Sequence, residues 1–201
     1  MNSIALPKPS LAGEISLEHT LQNRRSIRRF SKRSLTLAEI SQLLWATQGV
    51  THPAGYRTAP SAGALYPLDI FLVAGRVESL AAGVFHYRPA HHDLIPLTGG
   101  DLRTPLVRAA LGQGAVSSAP AVVVLTGAMA RTTGKYGDRG IRYVFMEAGH
   151  AAQNLALQAV GLELGTVMIG AFHDGQVGRV LGLPPDYVPL YLIPTGKPAG
   201  Q

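Results

Sequence analysis

The chain has 201 residues, 46% of them hydrophobic and only 15% charged, against ~25% charged in an ordinary soluble domain, which excludes an intrinsically disordered chain. It has no cysteine, which excludes disulfides, thiolate metal ligands and a thiol nucleophile, and no apolar run approaches the ~18 residues of a membrane helix. The net charge of +6 is local: Arg24, Arg25, Arg28, Arg29, Lys32 and Arg33 fall in one stretch without an acid, and the rest of the chain is neutral.

That clustering suits one anionic group such as a phosphate better than the extended basic face of a nucleic-acid binder; a solvated charge run is the bland alternative. Missing cysteine and the absence of a basic-then-apolar start to MNSIALPKPS lead us to expect a cytoplasmic protein without membrane or nucleic-acid partners. Residues 1–14 read as an N-terminal extension and residues 15–201 as one domain.

In chain order, Leu17 and Leu21 stand at helical spacing within residues 16–23. Thr36-Leu37-Ala38-Glu39 reads as a capping box, and Ile40, Leu43, Leu44 and Thr47 continue it as one helical face that Gly49 ends. Residues 58–67, TAPSAGALYP, read as a loop, and residues 68–74, LDIFLVA, as a strand. Residues 84–87 and 94–97 read as two short strands of a hairpin. A helix is expected over 102–111 and a buried strand over 121–126. The longest helix is expected over 141–160, with Ile141, Val144, Phe145, Ala148, Ala152, Leu155 and Ala159 inward and small residues around Gly149 for close helix contact. Short strands are expected over 166–169 and 188–194. This order reads as α+β, not as a regular βαβ array.

Several chemical motifs fail on inspection. Gly134-Lys135 lacks the first glycine and the hydroxyl of a phosphate-binding loop, since Met129 and Tyr136 stand there. Gly112-Gln113-Gly114 lies between a helix and a strand, the wrong order for a dinucleotide fingerprint. Glu147 and His150 have di-iron spacing but only one such pair is present, and His91-His92 has no third ligand nearby, so no metal site is expected.

Arg24-Arg25-Ser26-Ile27-Arg28-Arg29-Phe30 resembles the N-terminal signature of the nitroreductase family of FMN-dependent enzymes. Three further segments match in order: Pro60-Ser61-Ala62-Gly63-Ala64-Leu65-Tyr66-Pro67, then Arg142-Tyr143 through Glu147 to Leu155, then Gly165 to Phe172. Ile193-Pro194-Thr195-Gly196-Lys197-Pro198 closes the chain like the family's last strand. The resemblance covers residues 15–198, and its SAGALYP and EAGHAAQNL forms are most similar to the SagB-type dehydrogenases, which include oxidases that turn thiazolines and oxazolines of peptides into azoles. It implies an α+β fold with a central mixed or antiparallel sheet flanked by helices, and a homodimer with FMN at the subunit contact.

By the same resemblance, Arg24 and Ser26 hold the phosphate and its approach, a bidentate match for a guanidinium. Arg28 sits near the pyrimidine edge, where its charge would stabilise a reduced flavin. Pro60, Ser61, Ala62, Gly63 and Ala64 let the backbone approach the ring, although many nitroreductases carry asparagine where Ala64 stands. Ile169-Gly170 brings a main-chain amide towards N5. Lys197 adds a phosphate contact or is a solvated terminal lysine. Lys135-Tyr136 resembles the lysine–tyrosine pair of the azoline oxidases, the lysine as base and the tyrosine relaying the proton; the alternative is a solvent-facing lysine and an interface tyrosine. Arg29 and Arg33 read as solvated, and Glu147 and His150 as structural. The leading expectation is an FMN oxidoreductase acting on a modified peptide or small molecule. NAD(P)H-dependent reduction of nitro compounds or quinones competes with it. A non-catalytic flavin-binding subunit or a basic nucleic-acid-binding module is the reading from another class.

Overall fold

The computed structural model describes residues 3–200. Strand β1 (Ile4–Ala5) opens it, followed by helices α1 (Leu17–Asn23) and α2 (Leu37–Gln48). Ser16 caps α1 by accepting the His19 N–H, and α2 carries the expected capping box: Thr36 accepts from Glu39 N–H while Glu39 accepts from Thr36 N–H. The loop that follows contains a single 3-10 turn, Ala62–Ala64. Then come β2 (Leu68–Ala74), β3 (Gly83–Arg88), β4 (Asp93–Gly99), α3 (Arg103–Ala109), α4 (Gly114–Ser118) and β5 (Ala121–Ala128). The chain continues through α5 (Ala130–Tyr136), α6 (Arg139–Gly161), β6 (Gly165–Thr166), α7 (Asp174–Leu181) and β7 (Tyr187–Gly196).

The seven strands form one sheet in the order β1-β4-β3-β2-β5-β7-β6, and each pairing between named strands is antiparallel. β5 is central and apolar on both faces, every residue of it buried. Alternation along the strands divides the core in two. Ile70, Leu72, Val123 and Leu125 pack with Leu43 and Leu44 of α2 and with Val144, Ala148 and Leu155 of α6. Phe71, Val73, Val122 and Val124 face the other way, against Leu106, Val116, Val177 and Leu181 of α3, α4 and α7.

Three differences from the sequence expectation stand out. The strand expected over 166–169 pairs only through Thr166, and Ile169 then rejoins Leu192 as an isolated bridge. Between them Val167 N–H reaches Pro194 O at 3.4 Å, and Pro194 has no N–H to return. Ile141 and Phe145, expected inward, are 42% and 54% exposed; the buried face of α6 runs through Gly140, Val144, Glu147, Ala148 and Ala151 instead. Leu17 and Leu21 are likewise exposed. The stretch read as an extension supplies β1 to the sheet, and Ser41 Oγ and His92 Nε2 both donate to the Pro7 carbonyl, tying it to α2 and to the β3–β4 turn.

Candidate active site

Antiparallel pairing brings the start of β2, the end of β5 and the start of β7 to one end of the sheet: Leu68 faces Gly127, and Gly127 faces Val188. The loop before β2 and helix α5 after β5 therefore meet there. Gly63, Ala64 and Tyr66 have φ of 62°, 53° and 47°, with Leu65 between the last two at φ −83°, and these left-handed positions fold the loop tightly. A Cβ placed on Gly63 would lie 2.7 Å from Tyr136 Oη and 3.0 Å from Lys135 Nζ. The two side chains thus converge on the glycine of the SAGAL turn, with Lys135 exposed and Tyr136 half-buried. The sequence had linked these segments by resemblance alone; α5, which presents the pair, was not anticipated.

Polar groups beneath the turn form two connected sets. On one side Ser61 Oγ accepts the Tyr66 N–H at 2.9 Å, and Glu147, only 2% exposed, accepts from Gln48 Nε2 at 3.1 Å. Burial pushes the Glu147 carboxyl above its ordinary range, and hydrogen bonds from Ser61 and Gln48 with the charge of Arg57 offset part of that. Arg57 donates to Gln48 Oε1 and lies 4.4 Å over the Tyr66 ring; burial lowers its pKa, and Glu147 is the largest influence opposing that. On the other side Arg131 of α5 lies 2.7 Å from Asp69 Oδ2 and donates to Tyr187 Oη at 2.8 Å, while His86 pairs with Asp69 Oδ1 at 3.0 Å. Burial would raise the Asp69 carboxyl, but the His86 hydrogen bond and the Arg131 charge outweigh it and hold it below its usual value. Neither set was read from the sequence, because its members are spread over α2, the loop, the sheet and α6. Glu147 was read as structural, and its burial bears on that role; His150 is exposed.

The arginine cluster lies elsewhere. Ser26 bridges to Thr166 and Phe30 to Pro198, so the segment runs beside the β6 edge and the end of β7. Arg24 is half-buried at the end of α1, whereas Ser26 and Arg28 are exposed. A cavity of about 370 Å³ is lined by Arg28, Arg29, Gln113, Ser118, Val167 and Ile169 among others. Arg29 is exposed, as expected, and borders this cavity beside Arg28. Gly170, next to Ile169, is exposed with no heavy atom within 4 Å of a Cβ built on it. Lys197 is already paired, at 2.9 Å, with Glu163, and Arg33 is paired with Glu39 at 2.8 Å.

The site residues expected from the sequence therefore fall in two groups. Pro60 to Ala64 with Lys135 and Tyr136 sit by the Tyr187 end of β7; Arg24, Ser26, Arg28 and Lys197 sit by its Gly196 end, and Ile169-Gly170 lies between them, Ile169 pairing with Leu192. Ten residues of strand separate those ends, about 30 Å.

Comparison with known proteins gives a consistent result. Residues 21–197 match the model of the nitroreductase family. A Methanocaldococcus jannaschii protein named as a nitroreductase is 44% identical over 184 residues, 92% of each chain. A solved structure from Ralstonia eutropha, also named as a nitroreductase, superposes with a TM-score of 0.87 at 30% identity over 99% of this chain and 90% of that one. A chain of the Escherichia coli microcin synthetase McbBCD complex, solved with truncated pro-MccB17 bound, gives a TM-score of 0.76 at 26% identity, over 99% of this chain and 79% of that one.

Proposed function

This chain belongs to the nitroreductase family of oxidoreductases, and on that premise we propose that it is an FMN-dependent, homodimeric dehydrogenase of the SagB type that oxidises an azoline-like ring of a modified peptide. The observation that carries this reading is the convergence of Lys135 Nζ and Tyr136 Oη on Gly63. Aromatising such a ring removes a proton from one carbon and a hydride from another. Lys135, exposed beside a turn with no side chain at Gly63, is placed to take the proton, and Tyr136 to orient or relay it. The microcin synthetase likeness, with its bound peptide, supports a peptide substrate.

The donor set fits FMN. Arg28 and Arg29 line one cavity and have no ion-pair partner among the described residues, a combination that suits a phosphate or an electron-rich ring edge. Arg24, Ser26, Arg28 and Lys197 would hold the cofactor, Lys197 exchanging Glu163 for phosphate, with the backbone of Ile169 and Gly170 against the ring. When bound, FMN would supply the hydride-accepting chemistry, with dioxygen as the oxidant that regenerates it. Ala64 has no amide to offer, so polar recognition from the turn falls to its backbone. Because the two groups lie at opposite ends of β7, a complete site takes the turn from one copy and the arginines from the other. The exposed Leu17, Leu21, Ile141, Phe145 and Met146 offer the apolar surface such a dimer covers.

The Methanocaldococcus relative is named as a nitroreductase, which favours a second reading, reduction of nitro compounds, with NAD(P)H as the donor and quinones as alternative acceptors. Lys135→Ala separates the two. Under the dehydrogenase reading it keeps flavin and dimer and is still reduced by dithionite, but loses turnover of thiazoline peptides by about 10²–10⁴-fold. Wild type that reduces nitroaromatics with NADPH at ordinary enzyme rates, matched by Lys135→Ala, establishes the second reading instead.

A further inference from the structure

Helix α6 touches both halves of the Lys135 site, at two points on one face. A Cβ on Gly140 would lie 2.8 Å from the backbone of Thr132 and Thr133, so α5 rests directly on α6 there. Two turns along, Glu147 lies under the turn that carries Gly63. Its neighbours on that face are Val144, Ala148 and Ala151, and an apolar side chain would fill the place more cheaply than a carboxyl.

We propose that Glu147 is a positioning residue: its buried carboxyl fastens the 61–66 turn to α6 and so sets Gly63 against Lys135 and Tyr136. The proposal rests on the reading of Lys135 as the base. The connections run one way. Gln48 Nε2 donates to Glu147, and Arg57 donates to the Gln48 carbonyl. Arg57 also holds Tyr66 from two directions, through its guanidinium over the ring and its N–H on Tyr66 Oη at 3.2 Å. Ser61 faces the carboxyl and accepts the Tyr66 N–H. Both ends of the turn thereby lead back to one carboxyl. The turn needs such a fastening, because Ala64 and Tyr66 are in the left-handed region, where residues with a Cβ persist only when their surroundings fix them.

The test uses full-length, flavin-loaded protein and a thiazoline peptide as probe. In Glu147→Leu, amide hydrogen exchange over residues 61–66 should quicken while that of α6 is unchanged. The kcat should fall about 10²-fold, the scale of a small misplacement, with KM nearly constant and dithionite reduction intact. Glu147→Gln, which can still bond Gln48 and Ser61, should restore both exchange and kcat. If the leucine variant does not fold, Gln48→Leu is read in the same way. Unchanged exchange over 61–66, or quickened exchange with unchanged kcat, overturns the proposal. Failure of the underlying reading looks different: Lys135→Ala then retains turnover of the peptide, whatever the exchange measurements give.

Discussion

Gly63 has a tight steric neighbourhood within the candidate site. A methyl group there meets Tyr136 Oη at 2.7 Å, and the residue carrying it must keep φ near 62°, a left-handed conformation that costs an L-residue about 1 kcal/mol. Gly63→Ala should lower the melting temperature by only about 2–4 °C yet lose most peptide turnover, because Lys135 and Tyr136 are displaced; calorimetry and kinetics on one preparation check this. At the other end, Arg24→Ala should weaken FMN binding by about 1.5–3 kcal/mol, the range for a hydrogen bond to a charged group. Arg33→Ala should leave it nearly unchanged, since Arg33 is bound to Glu39. Flavin fluorescence titration distinguishes them, and equal losses would mean the run acts as diffuse charge. Candidate site residues could be read where a short contiguous segment carries them, as in the arginine run or SAGALYP. Arg57, Gln48 and Asp69 were not, because each is polar for the sake of a partner distant in sequence.

Among the elements, those with a complete local signal matched expectation. The capping box starts α2 after Thr36, and the apolar run LDIFLVA is β2 to the residue. Helices α4, α5 and α7 were missed, for they are short and carry Gly114, Gly134, or Gly175 and Gly178, which weaken a helical pattern by ~1 kcal/mol each. Strand β6 was overextended because Pro194 acts from the facing strand, where a window on residues 166–169 does not see it. The α6 face was misjudged for another reason. Ile141 and Phe145 are apolar as interior residues are, yet they point outward with Met146, as residues do that another surface covers. If the proposed dimer covers this face, Phe145→Asp should give a monomer by light scattering while leaving the far-ultraviolet circular dichroism intact, because the α6 face towards the sheet is untouched.

At the scale of the molecule, the sheet and its two helical layers were legible as α+β, but the long-range ties were not. One of them makes stability respond to pH. His92 donates from Nε2 to the Pro7 carbonyl, so its Nδ1 accepts from the buried Tyr87 hydroxyl, 2.9 Å away. Burial lowers the His92 pKa below its ordinary 6.5. The unfolded chain then binds the proton more readily than the folded one. The stabilisation is whole above about pH 6.5 and is lost as pH falls through the folded value. Asp93, held low by the hydrogen bond from Arg88, contributes its own loss only below about pH 4. Thermal melts between pH 7 and 5 should therefore show a decline that His92→Asn flattens, asparagine being tolerant of the left-handed φ of 49° at that position.

The separation of the two groups along β7 also bears on inheritance. If each centre draws its turn from one copy and its arginines from the other, a cell carrying one allele with Arg24→Ala and another with Lys135→Ala assembles mixed dimers. In each, one centre collects both lesions and its twin collects none. Two alleles that are each impaired alone would restore activity together, whereas two alleles damaged in the same group would not.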